Sequence, residues 1–323
     1  MKLRIGAKKA DMKVFVIGGA GFVGRSVVAA LISGGNEVVI GTRRPERARG
    51  LQVGCRIEKV ELHRLTRPDD WLSRIQPFDV VINCAGILRE RRGETFDSVY
   101  RQSPAAIAEA CRTNGKRFVH ITALGLRADA RSGFITCKLA GERAIERVGG
   151  QVCIVRPSLL DGKGGYGSRW IRRVAQWPVH FIPADATGVL APLDVRDLAD
   201  AIAALSVCPA SKLPTSVELG GEACCSMAQH LAAMRVGARP AMTSSVPAWI
   251  VRVCAHALDI FHLTPLSWGH VELMRRDNVP RASDVMALRR WIGRTPTNVR
   301  TTRAAGASLA AQLPAAGASV RTP

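Results

Sequence analysis

A chain of 323 residues with 47% apolar side chains can build one large globular domain or two smaller ones. Lysine and arginine number 46 against 26 aspartate and glutamate, a net charge of +20, yet the basic residues are scattered in doublets and aromatic residues make up only 5%. This charge favours a phosphorylated cofactor, an acidic protein or an anionic membrane surface, and without stacking platforms nucleic acid is not an expected partner.

Residues 1–11 carry four basic residues and no apolar core of a secretory signal, so they read as a disordered lead-in before Met12. No apolar run reaches the 18 residues of a spanning helix. The nine cysteines are odd in number and never spaced Cys-x-x-Cys, which predicts reduced thiols in a cytoplasmic protein. Cys254, His256, Asp259 and His262 share one stretch without sharing one helical face, so no metal is expected.

Residues 14–17 are a β-branched apolar run that predicts a buried parallel strand, and behind it Val23, Val27, Ala30 and Leu31 recur at helical spacing. Between them the chain reads Gly18-x-x-Gly21-x-x-Gly24 or Gly19-x-Gly21-x-x-Gly24. Either pattern leaves bare backbone at a helix N-terminus, where N–H groups and the helix dipole hold a pyrophosphate. Gly18, Gly21, Phe22, Val23 and Gly24 are therefore candidate cofactor contacts. Residues 37–42 predict the second strand, whose tip carries Arg43 and Arg44 where the adenosine ribose would lie. Glu37 stands at the opposite end, so nothing acidic repels a 2′-phosphate, and NADP(H) is preferred to NAD(H).

Strands at 56–62, 79–86, 117–122 and 152–157 alternate with helices at 68–75, 104–113 and 138–148. This rhythm predicts an α/β doubly wound (Rossmann) parallel sheet. Asn83, Ala85, Gly86 and Pro157 fall at strand ends that pass beneath the cofactor. After Pro157 the rhythm breaks, and the glycine-rich residues 158–188 read as a substrate-facing insertion. A strand at 191–195 and a helix at 197–205 complete a nucleotide-binding domain over 12–205. Residues 206–293, with a strand at 217–220 and helices at 226–236 and 247–261, predict a smaller C-terminal α/β lobe that completes the cleft. The 247–261 helix has a wide apolar face and only Arg252, His256 and Asp259 as a polar stripe, so core packing is expected. Residues 294–323 have the composition of a disordered tail.

The glycine turn, Asn83-Cys84-Ala85-Gly86, Thr122, Lys138 with Gly141-Glu142, Arg156-Pro157-Ser158 and Leu193-Asp194-Val195-Arg196-Asp197-Leu198-Ala199 together resemble the extended and atypical short-chain dehydrogenase/reductase superfamily over residues 13–205. Leu263-Thr264-Pro265 and residues 272–279 further resemble the nucleotide-binding accessory subunit of respiratory complex I and its bacterial relatives. The superfamily implies Thr122 as the residue that polarises a substrate carbonyl and Lys138 as the ligand of the nicotinamide ribose. It also implies a tyrosine four residues before the lysine, and that position is Phe134, which has no proton to give.

Three readings follow from the resemblance, the third being an RNA-binding relative outside metabolism. In the first, NADP(H) is held as a fixed part of an accessory, assembly or redox-sensing protein, linked to complex I or quinone metabolism and peripheral at the inner membrane beside a respiratory-chain partner. In the second, the chain is an active NADP-dependent reductase or epimerase on an apolar carbonyl or quinone-like substrate, with Tyr166 or water as proton donor; Tyr100 is the only other tyrosine. Phe134 beside a retained Lys138 favours the first, and fold alone decides none of them.

Overall fold

The computed structural model describes residues 12–48, 54–236, 239–261 and 267–299. The expected lead-in, residues 300–323 of the expected tail, His262 and Leu263-Thr264-Pro265 lie outside the described residues.

The first half alternates as the sequence predicts: β1 (Lys13–Ile17), α1 (Phe22–Ser33), β2 (Glu37–Thr42), α2 (Pro45–Ala48), β3 (Arg56–Lys59), α3 (Asp69–Ile75), β4 (Val80–Asn83), α4 (Ser103–Thr113), β5 (Arg117–Ile121), α5 (Gly133–Val148) and β6 (Val152–Pro157). The second half runs β7 (Leu160–Asp161), α6 (Tyr166–Ala175), β8 (Val179–Pro183), β9 (Leu193–Asp194), α7 (Val195–Val207), β10 (Ser216–Leu219), α8 (Met227–Met234), β11 (Met242–Val246), α9 (Ala248–Phe261), α10 (Trp268–Leu273) and α11 (Ala287–Ile292). Seven strands form one sheet in the order β10-β6-β5-β4-β1-β2-β3, every neighbouring pair parallel. Its direction of growth reverses between β1 and β4, where Ile17 pairs with Asn83. A doubly wound sheet opens its ligand crevice outside the strand ends at this point.

Both faces of the sheet are covered, which is why its inner strands are nearly continuous apolar runs. On one face Val27 and Leu31 of α1, Leu198 and Ile202 of α7 and Leu288 of α11 pack on Val14, Val16 and Ile82. On the other, Trp71, Ile107, Ile135 and Ile145 from α3, α4 and α5 pack on Phe15, Val81 and Phe118. Fully burying side chains of this kind contributes about 1.5–3 kcal/mol each.

Three expectations are corrected. Residues 158–188 are not without rhythm, because β7, α6 and β8 all lie there. The glycines at 162–167 hide the pattern: Gly165 only caps α6, whose inward face of Ile171, Val174 and Ala175 is interleaved with four arginine and tryptophan residues. Second, Ser216–Leu219, expected in the smaller lobe, pairs with β6 as the outermost strand of the main sheet, and α11 packs on α7. Third, α9 is not a core helix. Ala255 is buried, but Trp249 and Val253 are 70% and 62% exposed; among the described residues α9 packs chiefly against α10, through a small cluster around Trp268 and Val271.

α5 begins five residues earlier than its predicted start. Ser132 caps it by accepting from the Ile135 N–H, so Phe134 and Lys138 stand one turn apart on one helix. Segments on either side of β10 also build a small layer in which β8 pairs in parallel with β11 and α6 packs on α8.

Candidate functional site

A pocket of about 620 Å³ opens at the carboxyl ends of β1 and β4 and runs on toward α10. At its start the glycine turn lies back to back with the β4 tip. Gly18 has φ +77°, and a Cβ there would stand 2.7 Å from the Ala85 backbone. A Cβ on Gly24 would come within 2.2 Å of the Gly18 carbonyl oxygen, so α1 can approach the turn only without side chains. Gly21 caps α1 with no side-chain bond and no acidic residue follows in the first turn, which leaves the helix N–H groups open to an anion.

Gly18, Gly21, Phe22 and Val23 line the pocket on this side, and Ala85, Gly86 and Pro157 line it from β4 and β6. Gly24 and Asn83 stand behind the wall. The Asn83 side chain is fully buried, accepts from the Ala85 N–H at 3.0 Å and meets His120 Nδ1 at 3.2 Å. Burial first, and then the Lys138 charge, push the His120 pKa down to about 3, so its ring is neutral and able to accept from the Asn83 amide.

At the adenosine end Arg43 and Arg44 line the pocket from the β2 tip. The expectation that nothing acidic lies there is overturned. Glu94 reaches across 51 positions of chain and accepts from Arg43 Nη1 with both oxygens, at 2.7 and 2.6 Å. Its own turn, bridged between Arg91 and Glu94, carries it to the pocket wall. No local spacing could reveal this pair.

At the nicotinamide end Lys138, Phe134, Tyr100 and Thr122 converge. The Lys138 ammonium sits 4.4 Å from the Tyr100 ring centre and 5.3 Å from that of Phe134. Burial lowers its pKa to about 8 against the opposing pull of Glu142. Both nearby hydroxyls are committed to protein acceptors. Thr122 O–H donates to Glu142, which is buried and also receives Arg156 Nε at 2.8 Å. Tyr100 O–H donates to the Ile87 carbonyl and accepts the Ile87 N–H at 2.9 Å, while burial raises its pKa. Tyr166 is 45% exposed at the start of α6 and is not in the pocket wall, so the expectation that it could serve as proton donor is not met.

The far wall holds a residue that sequence reading missed, His270. Gly269 lets α10 meet α5 so closely that a Cβ there would stand 2.7 Å from Phe134 Cβ. His270 then lines the pocket with its ring centre 5.0 Å from that of Phe134. Ser267 Oγ lies 2.6 Å from His270 Nδ1. α10 is bolted in place from several sides. Asp259 accepts the Trp268 N–H, and Glu272, buried, accepts the N–H groups of Arg131 and Ser132 at 2.8 Å. Burial alone would raise the Glu272 pKa, but these bonds and the nearby Arg127 bring it below the usual carboxylate value. Asn278 donates to the Leu124 carbonyl at 3.0 Å. The 272–279 stretch, singled out by resemblance, thus docks the C-terminal segment onto the nucleotide-binding sheet. The signal for His270 lay two residues upstream. Asp259 is held by Arg89 and Trp268, and among the described residues no cluster of three metal-ligating side chains occurs.

Comparison with known proteins bears out the resemblance over residues 13–205: the chain belongs to the NAD dependent epimerase/dehydratase family, whose model matches residues 14–220. It is 29% identical over 199 residues to "NADH dehydrogenase [ubiquinone] 1 alpha subcomplex subunit 9, mitochondrial" of Dictyostelium discoideum, covering 60% of this chain and 55% of that one. It is 32% identical over 154 residues to "Ceramide reductase" of Caulobacter vibrioides, covering 47% of each. The chain spans about half the length of these curated relatives. Among solved structures, MoeE5 in complex with UDP-glucuronic acid and NAD superposes with a TM-score of 0.64 at 20% identity, over 93% of this chain and 99% of that one. UDP-glucuronic acid 4-epimerase from Bacillus cereus, with the same two ligands, gives 0.65 at 16%, over 90% and 96%. These two likenesses establish the fold. The family is NAD dependent, and the Gly18 cradle, the open α1 terminus and the Lys138 ammonium fit a nicotinamide dinucleotide. Among the described residues no helix is long and apolar enough to cross a membrane.

Proposed function

We propose that this chain holds NADP(H) as a fixed part of an accessory, assembly or redox-sensing protein linked to respiratory complex I or quinone metabolism. One observation carries this reading. Phe134 occupies the position of the proton-donating tyrosine, while Thr122 and Tyr100 spend their hydroxyl protons on Glu142 and Ile87. The bound dinucleotide would offer a hydride at its nicotinamide ring. The chain's own residues bind it: the glycine turn and α1 terminus hold the pyrophosphate, and Lys138 donates to the ribose. The complex I relatives support the context. The preference for the 2′-phosphate rests on Arg43 and Arg44, with the Arg43–Glu94 pair as the interaction a phosphate must displace. The bare face of α9, with Trp249 and Val253 beside Arg252, supports a partner protein or an anionic inner-membrane surface in the cytoplasm as its setting.

Purified protein is examined for co-purifying NADPH by absorbance and fluorescence and then offered quinone and aldehyde acceptors. Retention without turnover is expected, and steady oxidation of NADPH overturns the reading. Exchanging Arg43 and Arg44 for alanine weakens NADP more than NAD, whereas equal loss removes the basis for the preference. Vesicles of anionic lipid should sediment with the wild type and less with Trp249→Glu.

A second reading, an active reductase or epimerase on an apolar carbonyl substrate, is favoured by the apolar part of the pocket wall. Leu159, Leu160, Leu190, Met227, Leu273 and Met274 line it. The relative named ceramide reductase supports it too. Activity in the wild type selects this reading, and activity that arises only in Phe134→Tyr supports the first.

A further inference from the structure

We propose that the far end of the pocket is a binding site for an apolar carbonyl compound whose oxygen is anchored by His270, in place of a phenol at position 134. The Gly269 contact brings the imidazole alongside the Phe134 ring, so the pocket's polar atom comes from α10 instead of α5. Ser267 Oγ holds Nδ1, and in the tautomer proposed Ser267 O–H donates to it and the ring proton resides on Nε2, the other polar atom of a residue that lines the pocket. Burial, then the positive charges of Lys138 and Arg89 against Asp259, lower the His270 pKa to about 4, so the ring is a neutral donor at ordinary pH. A neutral donor in an apolar wall suits a carbonyl oxygen.

The surrounding wall narrows the ligand class. Leu273, Met274, Leu159, Leu190 and Met227 line the pocket here; of the polar residues beside them, Ser158 donates to the Asn278 carbonyl and accepts the Ala191 N–H, and the Asn278 amide donates to the Leu124 carbonyl, which leaves the acceptor Oδ1 of Asn278 but not its donor. Arg43 and Arg44 belong to the adenosine end, and Lys138, the third cation of the lining, sits against Tyr100 and Phe134 where the two ends meet. One carbonyl on an otherwise hydrocarbon body matches this wall. The inference stands on the pocket and goes beyond the proposed function, because it holds whether or not the ligand is reduced.

The test uses the full chain loaded with oxidised NADP, so that no reduction follows, and repeats each titration without dinucleotide. Failure of the cofactor reading and failure of this one are thereby told apart. Displacement of an environment-sensitive dye by 2-undecanone, undecane, undecanoate and UDP-glucuronic acid is measured. The ketone is expected to bind about three- to tenfold tighter than the alkane, the worth of one neutral hydrogen bond. With a ¹³C-labelled carbonyl, infrared difference spectra should place the bound stretch below its value in hydrocarbon solvent. That shift should vanish in His270→Phe and return in His270→Gln, which a merely structural histidine would not produce. Equal binding of ketone and alkane overturns the proposal, as does tighter binding of undecanoate or UDP-glucuronic acid or an unchanged stretch in His270→Phe. Should His270→Phe not fold, the ketone-to-alkane ratio of the wild type decides alone, and Ser267→Ala should shrink the infrared shift.

Discussion

The two ends of the pocket are built by opposite strategies. At the dinucleotide end, residues within one strand–turn–helix unit make the cradle by leaving side chains out: Gly18 and Gly24 allow backbone to meet backbone. At the far end, a short helix from more than a hundred residues further along the chain is pressed onto α5 and held by Glu272 and Asn278. The first end owes its shape to local geometry and the second to tertiary bolts. The two should therefore fail separately.

Substitution at the cradle should cost most. Gly24→Val forces a side chain into the Gly18 carbonyl oxygen and is expected to lose about 3 kcal/mol of stability together with dinucleotide binding, read by thermal melts and cofactor titration. Gly269→Ala, with its Cβ against Phe134, should lose about 2 kcal/mol and disturb α10, yet keep dinucleotide affinity within about twofold. Equal loss of affinity in both variants would dissolve the distinction between the ends.

Lys138 joins the two. Its pKa near 8 means that the ammonium is lost as pH rises through that value, so dinucleotide affinity should fall above pH 8, at most about tenfold per unit. In Lys138→Met the profile should be flat. On the acid side, His120 is held neutral in the fold with its pKa depressed from 6.5 to about 3. The unfolded chain takes up the proton first, so stability present above pH 6.5 declines as pH falls toward 3, by at most about 1.4 kcal/mol per unit through this residue. Melting curves between pH 7 and 4 should show a shallower decline in His120→Gln. The smallest expected effect is at the adenosine end, where Glu94→Gln releases Arg43 and should raise the NADP-to-NAD affinity ratio about three- to tenfold. A falling ratio would show that Glu94 serves the ribose and not merely the arginine.

The sequence made the dinucleotide end legible because its signals are local. A buried strand, bare glycines and a helix face lie within about twenty residues, and the β4 tip repeats the strand signal. Phe134 and Lys138 were legible only through the superfamily resemblance, which implies a tyrosine four residues before the lysine. Glu94, His270 and the commitment of Thr122 to Glu142 were not, since each depends on a partner brought close only by the folded sheet. α9 misled for a related reason. An apolar helix face announces that it can be covered, and among the described residues that of α9 is covered only in part.

The last described residues also set when the fold can be finished. Leu288 of α11 belongs to the apolar layer begun by β1 and α1, and the fully buried Asp197 receives the Thr297 N–H and the Arg294 guanidinium. During synthesis, α7 waits for these partners until almost three hundred residues have been made. The nucleotide-binding layer is thus started early and joined late, and the growing chain carries an apolar face that α11 helps to cover.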